Sequence, residues 1–183
     1  MVKILVAIST LLIIIVNQIP KANAQEYLAG SSAALLKPTS QEASDSRIRI
    51  LRQYLEKYNS PLVPYAGTFV EKADKYNLDW KLVVAISGVE STFGREIPND
   101  SYNGWGWGIY GDNMIRFSSW EEGIETISEG LRNKYIDKWG AKDVYEIGHY
   151  YAASPTWAQR VEYFMNSIEE YQKQNLASLP ISL

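Results

Sequence analysis

DWKLVVAISGVESTFG, residues 79–94, decides how the chain is read. Asp79 is placed to cap a helix running from about Trp80 to Thr92, and Gly94 is placed to end it. Leu82, Val83, Ile86, Val89 and Phe93 recur at the three- and four-residue steps of one helical face. Glu90 falls on that apolar stripe, one turn beyond Ile86. A carboxylate there gives up hydration that its charged form needs, and the terminal carbonyls of the helix disfavour a second negative charge beside them. Both effects predict a raised pKa, the property a side chain needs if it is to hold and donate a proton near neutral pH. The alternative is a Glu that rotates to solvent at a helix end.

The same period runs outward on both sides. Ile48, Leu51, Leu55 and Tyr58 form one face of a helix starting at Ser46 and stopped by Asn59-Ser60-Pro61. A second helix begins near Val63 to Tyr65 and turns Phe69, Val70 and Ala73 inward. Downstream, Ser119-Trp120-Glu121-Glu122 reads as a capping box opening a helix with Trp120, Ile124, Ile127 and Leu131 inside. A short helix follows from Asp143 to Tyr151. Ser154 and Pro155, as N-cap and first helical residue, open the last one, with Trp157, Val161, Phe164, Ile168 and Tyr171 on its inner face. No period-two alternation and no internal repeat appears. The expected fold class is all-α, with at most a very small β element.

Between the two halves lies Ser101 to Asp112, where Gly104, Gly106, Gly108 and Gly111 alternate with Tyr102, Trp105, Trp107 and Tyr110. Sugars present apolar C–H faces and hydroxyl edges, so a sugar site needs flat rings, hydrogen-bonding groups and a backbone that can approach closely. Asn103, Trp105, Trp107 and Tyr110, with Tyr102, meet those needs. A competing reading places one or two of the tryptophans in the core. The formal G-x-G-x-x-G at Gly106, Gly108 and Gly111 follows a helix rather than a strand and opens none, so a dinucleotide site is discarded.

The chain has 183 residues, 46% apolar and 13% aromatic, enough for one domain with a sizeable core. Lys3, the apolar run Ile4 to Val16 and Ala22-Asn23-Ala24 predict a signal peptide cut after Ala24, since about 13 apolar residues fall short of the roughly 20 that span a bilayer. No later segment is long enough to span. Removing residues 1–24 takes two lysines and leaves 16 basic against 21 acidic side chains, about −5. Such a balance, without Lys/Arg blocks, excludes nucleic acid as a partner. With no cysteine and a single histidine, His149, thiol catalysis, Fe–S clusters and zinc sites are excluded, and no metal or cofactor is expected.

Four segments then stand in order: Glu90-Ser91-Thr92-Phe93-Gly94, Asn103-Gly104-Trp105-Gly106-Trp107-Gly108-Ile109, Phe117-Ser118-Ser119-Trp120-Glu121-Glu122-Gly123-Ile124, and Tyr151-Ala152-Ala153-Ser154-Pro155-Thr156-Trp157-Ala158. Together, over roughly Asn77 to Ile168, they resemble the glucosaminidase (mannosyl-glycoprotein endo-β-N-acetylglucosaminidase-like) family of the lysozyme-like superfamily. The first is equally similar to soluble lytic transglycosylases, whose Gly-Leu-Met-Gln signature is absent. The resemblance implies a lysozyme-like single domain that cleaves the β-1,4-linked aminosugar backbone of peptidoglycan, with Glu90 as the acid. It also implies that Tyr151 faces the cleft, orienting substrate or Glu90, and that Trp157 joins the substrate-binding set. The implied partner is the glycan strand, the implied location periplasmic or extracellular, and a monomer is expected.

A two-carboxylate glycosidase needs a partner about 5 to 10 Å from the acid; Asp100 and Asp112 are the local candidates, with Glu96 behind them, and the substrate's N-acetyl group can replace such a partner. Two other outcomes stay open: a lytic transglycosylase forming 1,6-anhydro products, and a wall-binding module that does not turn over. The expected organisation is a signal peptide over 1–24, a flexible leader over 25–45, a catalytic domain over 46–175 and a tail over 176–183.

Overall fold

In the computed structural model the described residues are 45–98, 100–108 and 115–177, and all of them belong to one compact unit. The expected signal peptide, most of the leader, residues 178–183 of the tail, Tyr110 and Asp112 lie outside the described residues.

Asp45 is the first described residue, its carboxylate accepting the Arg47 N–H at 2.8 Å as N-cap of α1, Ser46–Glu56. Ile48, Leu51 and Leu55 are buried as the sequence reading expects, Tyr58 is half-buried against the core, and Ile50 and Tyr54 are buried beside them. A 3₁₀ turn at Val63–Tyr65, with proline in its first turn, leads into α2, Ala66–Lys75, which buries Phe69, Val70 and Ala73. The Arg47 guanidinium forks onto Asp74 at 2.7 and 2.8 Å and ties the two helices together.

The informative stretch forms α3, Leu82–Ser91. Asp79 opens a turn, not the helix itself: its carboxylate accepts the Lys81 N–H at 2.9 Å and its carbonyl the Leu82 N–H. Every residue from Leu82 to Gly88 is buried, so α3 is a central rod covered on all sides rather than a helix with one apolar stripe. It packs mainly on α6 and also on α2 and α4.

Helix α4, Trp120–Gly130, buries Trp120, Ile124 and Ile127 as read. Ser119 accepts the Glu122 N–H at 3.2 Å, while the Glu122 carboxylate returns to Ser118, accepting its N–H at 2.6 Å. The capping box is therefore spread over both serines. Past Gly130 the helix continues as a π-helical segment, Leu131–Lys138. Then come α5, Val144–Tyr151, capped by Asp143, and α6, Trp157–Ala177. Ser154-Pro155-Thr156 form a turn whose Ser154 carbonyl accepts the Trp157 N–H at 3.2 Å, so α6 starts two residues after Pro155 rather than on it. All regular structure among the described residues is helical, the expected all-α class.

Candidate functional site

α3 ends at Ser91 in a sharp turn made by three successive left-handed residues, Thr92, Phe93 and Gly94, with φ of 52°, 58° and 80°. A β-branched residue in this region is unusual and strained, and such strain clusters at functional sites. The turn folds Phe93 back into the core, against Gly88, where an added Cβ would fall 2.7 Å from the Phe93 ring. Gly94 is the third residue of the reversal rather than the cap. Ser91 ties the helix end to the loop beyond, its hydroxyl donating to the Gly104 carbonyl at 2.7 Å and accepting the Gly94 N–H at 2.9 Å.

Glu90 sits at the mouth of this turn. It is exposed, not buried on the stripe: Gly88 and Ser91 on either side of it are covered and Val89 is half-buried, but the Glu90 position itself opens to solvent. The carboxyl is nonetheless held on two sides. Trp157 Nε1–H donates to Oε1 at 2.6 Å, and a methyl group built on Gly106 would lie 3.0 Å from Oε2. Surrounding protein bulk raises the Glu90 pKa, opposed by the Trp157 hydrogen bond and the Arg160 guanidinium. Exposed area and desolvation coexist because area records the edge that meets water, whereas the charge responds to everything packed around it. Arg160 donates to the Val89 carbonyl at 3.2 Å and so places a cation at the C-terminal end of α3.

Tyr151, the last residue of α5, lies parallel to Trp157, ring centres 4.7 Å apart and planes at 22°. Its phenol donates to the Trp105 carbonyl at 2.7 Å, which fixes the loop over Glu90. Burial, the Glu90 carboxylate and Tyr135 hold that phenol far up its range, so it stays a donor. The segment from Tyr151 to Trp157 thus grips the carboxyl with one residue and the loop with another.

The remaining expected sugar contacts divide. The Trp105 ring is fully buried, its Nε1–H on the Val83 carbonyl at 2.9 Å, seated where a Cβ on Gly123 would come within 2.6 Å of it. It plugs the core, and only its carbonyl faces the site. Asn103 is also buried: its amide donates to the Trp107 and Ile115 carbonyls at 2.8 and 2.9 Å, and its oxygen accepts the Trp107 N–H at 3.0 Å. It braces the loop from within. Trp157 contributes a hydrogen bond to Glu90 rather than a face to a sugar. Trp107 is half-buried, resting on Gly130 with Tyr135 and Tyr151 each 5.9 Å away between ring centres.

Trp107 forms one wall of a groove of about 350 Å³ that starts at Gly106, beside Glu90, and is lined further out by Ile115, Lys134, Tyr135, Tyr150 and Tyr151. Tyr150 is 52% exposed and packs on Trp139 at 4.8 Å. Lys134, Tyr135 and Trp139 escape a reading at 3.6 residues per turn, because the π-helical segment changes which residues share a face after Leu131. Among the described residues, the charged side chain acting on Glu90 is Arg160; Asp100 and Glu96 do not figure among those influences.

No family model matches the chain, and no curated protein matches it. Solved structures do, among them two of S. aureus autolysin E. The likeness is one of fold. One is its complex with the muropeptide NAM-L-Ala-D-iGlu, at 19% identity and a TM-score of 0.55. The other is a catalytic mutant in complex with the disaccharide NAG-NAM, at 19% identity and 0.56. In each case 67% of this chain is covered, and this chain spans 66% of the other, just under two thirds of its length.

Proposed function

We propose that the protein cleaves the glycan strands of peptidoglycan as an endo-β-N-acetylglucosaminidase, with Glu90 as general acid. The observation that carries this reading is the setting of the Glu90 carboxyl: one oxygen is fixed by Trp157, and the other lies next to Gly106, a residue that also lines an aromatic groove. A carboxyl with a raised pKa, anchored through Oε1 and with Oε2 turned towards Gly106, suits protonation of a glycosidic oxygen as the bond to the anomeric carbon breaks. The fold shared with an autolysin crystallised with NAG-NAM and a muropeptide supports the same substrate class.

In this mechanism the Glu90 proton moves to the leaving oxygen, and the substrate's own N-acetyl oxygen closes on the anomeric carbon as positive charge develops there. The ionised Glu90 then takes a proton from the incoming water as the water oxygen bonds to the anomeric carbon and the bond from that carbon to the N-acetyl oxygen breaks, which frees the N-acetyl group and restores the acid. Tyr151 and Trp157 position this machinery, Trp107 offers a ring face to the sugar, and Asn103 and Trp105 hold the loop that carries it. Residues 1–24 direct export and 25–45 link to a catalytic domain over 46–175 with a tail over 176–183, which places the activity outside the cytoplasm.

Digestion of peptidoglycan by the purified protein, followed by mass spectrometry, tests the reading. New reducing ends on N-acetylglucosamine are expected; 1,6-anhydro ends would make the protein a transglycosylase, and no new glycan product from several wall types would make it a binding module.

A further inference from the structure

The groove beyond Glu90 is lined by rings and small residues with one charged side chain among those described, Lys134. The π-helical segment holds it there. The Trp139 N–H bonds to the Lys134 carbonyl at 3.0 Å, an i+5 to i bond that brings these two residues onto one face, and the Lys134 ammonium sits 4.8 Å from the centre of the Trp139 ring. Trp139 is in turn packed on Tyr150, which lines the same groove. A long, flexible cation is thereby restrained at the rim, and among the described residues no carboxylate pairs with it.

A groove that accepted only neutral N-acetylglucosamine units would have no use for a restrained cation. Peptidoglycan differs from such neutral polymers in the lactyl ether on O3 of every second sugar, which ends in a carboxylate or carries a peptide with carboxylates of its own. We propose that Lys134 selects muramyl-bearing glycans, its ammonium meeting the anionic substituent on O3 of the sugar seated against Trp107 and Tyr150. The inference rests on the reading of this groove as the peptidoglycan site. An ammonium at a solvent-facing rim adds a modest preference, about two- to fivefold, because water screens the pair.

The test compares two tetrasaccharides, one of N-acetylglucosamine alone and one alternating N-acetylglucosamine with N-acetylmuramic acid bearing free lactyl carboxylates. Binding is titrated by tryptophan fluorescence in the Glu90→Gln protein, so neither glycan is consumed. The expected result is a two- to fivefold preference for the anionic glycan at low salt. That ratio falls towards one in Lys134→Gln, recovers in Lys134→Arg, and shrinks as salt is added. A ratio unchanged by Lys134→Gln overturns the proposal, as does one lost equally in Lys134→Arg, which would mean that Lys134 only shapes the Trp139 face. Turnover by the unsubstituted chain is followed separately. Selective binding without cleavage of either glycan would remove the Glu90 mechanism and leave the Lys134 assignment standing, whereas binding of neither would overturn both.

Discussion

Gly106→Ala places a single methyl group where the structure makes its strongest claim. Gly106 has φ of +62°, where an L-residue carries a penalty of about 1 to 2 kcal/mol. The entropy lost by the unfolded chain on gaining a side chain offsets less than that when the native φ is positive. The new Cβ would lie 3.0 Å from Glu90 Oε2, closer than ordinary contact, with the carboxyl carbon at 3.7 Å. The carboxyl cannot retreat freely, since Oε1 is held at 2.6 Å by Trp157. A net loss of roughly 1 kcal/mol is expected, a fall in melting temperature of about 3 to 6 °C for a domain this size. The effect on turnover should be far larger, because the methyl occupies the space through which a glycosidic oxygen must approach Oε2. Exclusion of the general acid from its substrate costs about 10² to 10⁴ in rate. Calorimetry and release of soluble glycan measure the two effects on the same sample. A folded Gly106→Ala protein that cleaves peptidoglycan at the normal rate would show that substrate does not reach Glu90 past Gly106, and the mechanism proposed for Oε2 would fall with it.

Glu90→Gln should keep the fold and reduce glycan release about 10²- to 10⁴-fold, since the amide can still accept from Trp157 but cannot donate the proton. A raised carboxyl pKa favours the folded state below the unfolded value and loses that advantage as pH rises through the folded one. The Gln variant should therefore melt no lower than the parent at neutral pH, with the two converging in acid; a clearly lower neutral melting point would contradict this. Trp157→Phe keeps a ring against Tyr151 but removes the donor that lowers the Glu90 pKa, so the alkaline limb of the pH–rate profile should move upward. An unmoved limb would show that the hydrogen bond does not tune the acid. Trp105→Ala should cost about 3 to 5 kcal/mol by denaturant unfolding, as for a buried ring, whereas Tyr150→Ala should weaken glycan binding with a stability change of about 0.5 kcal/mol or less. Equal destabilisation by both would place Tyr150 in the core.

What could be read from the sequence follows the range of each signal. Helix faces are local, and the assignments at Leu51, Phe69, Ile86, Ile124 and Val161 hold because side chains three and four apart share a face whatever covers them. Glu90 is read onto the same face, with rotation to solvent as the alternative, and the structure leaves it exposed. Periodicity places a side chain on a face without saying how far round the helix the cover reaches, and here Ser91 is covered while Glu90 beside it is not. Trp105, which the sequence leaves open between core and sugar site, and Asn103, read as a sugar contact, are both buried, and their case differs. A tryptophan or asparagine among glycines suits a sugar site and a tightly folded loop equally, and the partners that decide between them, Gly123 and Ile115, lie 18 and 12 residues away in the chain. The outer groove was illegible because it depends on a π-helical segment, for which the sequence carries no periodic mark.

These distant partners also explain why a loop so rich in glycine can carry chemistry. Trp105 is anchored in the core by its indole and presents only its carbonyl to the site, where the Tyr151 phenol takes it at 2.7 Å. Asn103 closes the same loop on itself at four backbone atoms, the Trp107 and Ile115 carbonyls and the Trp105 and Trp107 N–H groups. Gly106, whose conformational freedom would otherwise blur the approach to Glu90, is therefore flanked by one residue fixed in the core and another, Trp107, held from Asn103 at both its N–H and its carbonyl. Tyr151 and Trp157 stack on each other, so the group that fixes the loop packs directly on the group that fixes the carboxyl. The distance between Gly106 and Oε2 is set by that stack and by the core beneath it, and the residues that look most like sugar contacts in the sequence serve to keep it constant.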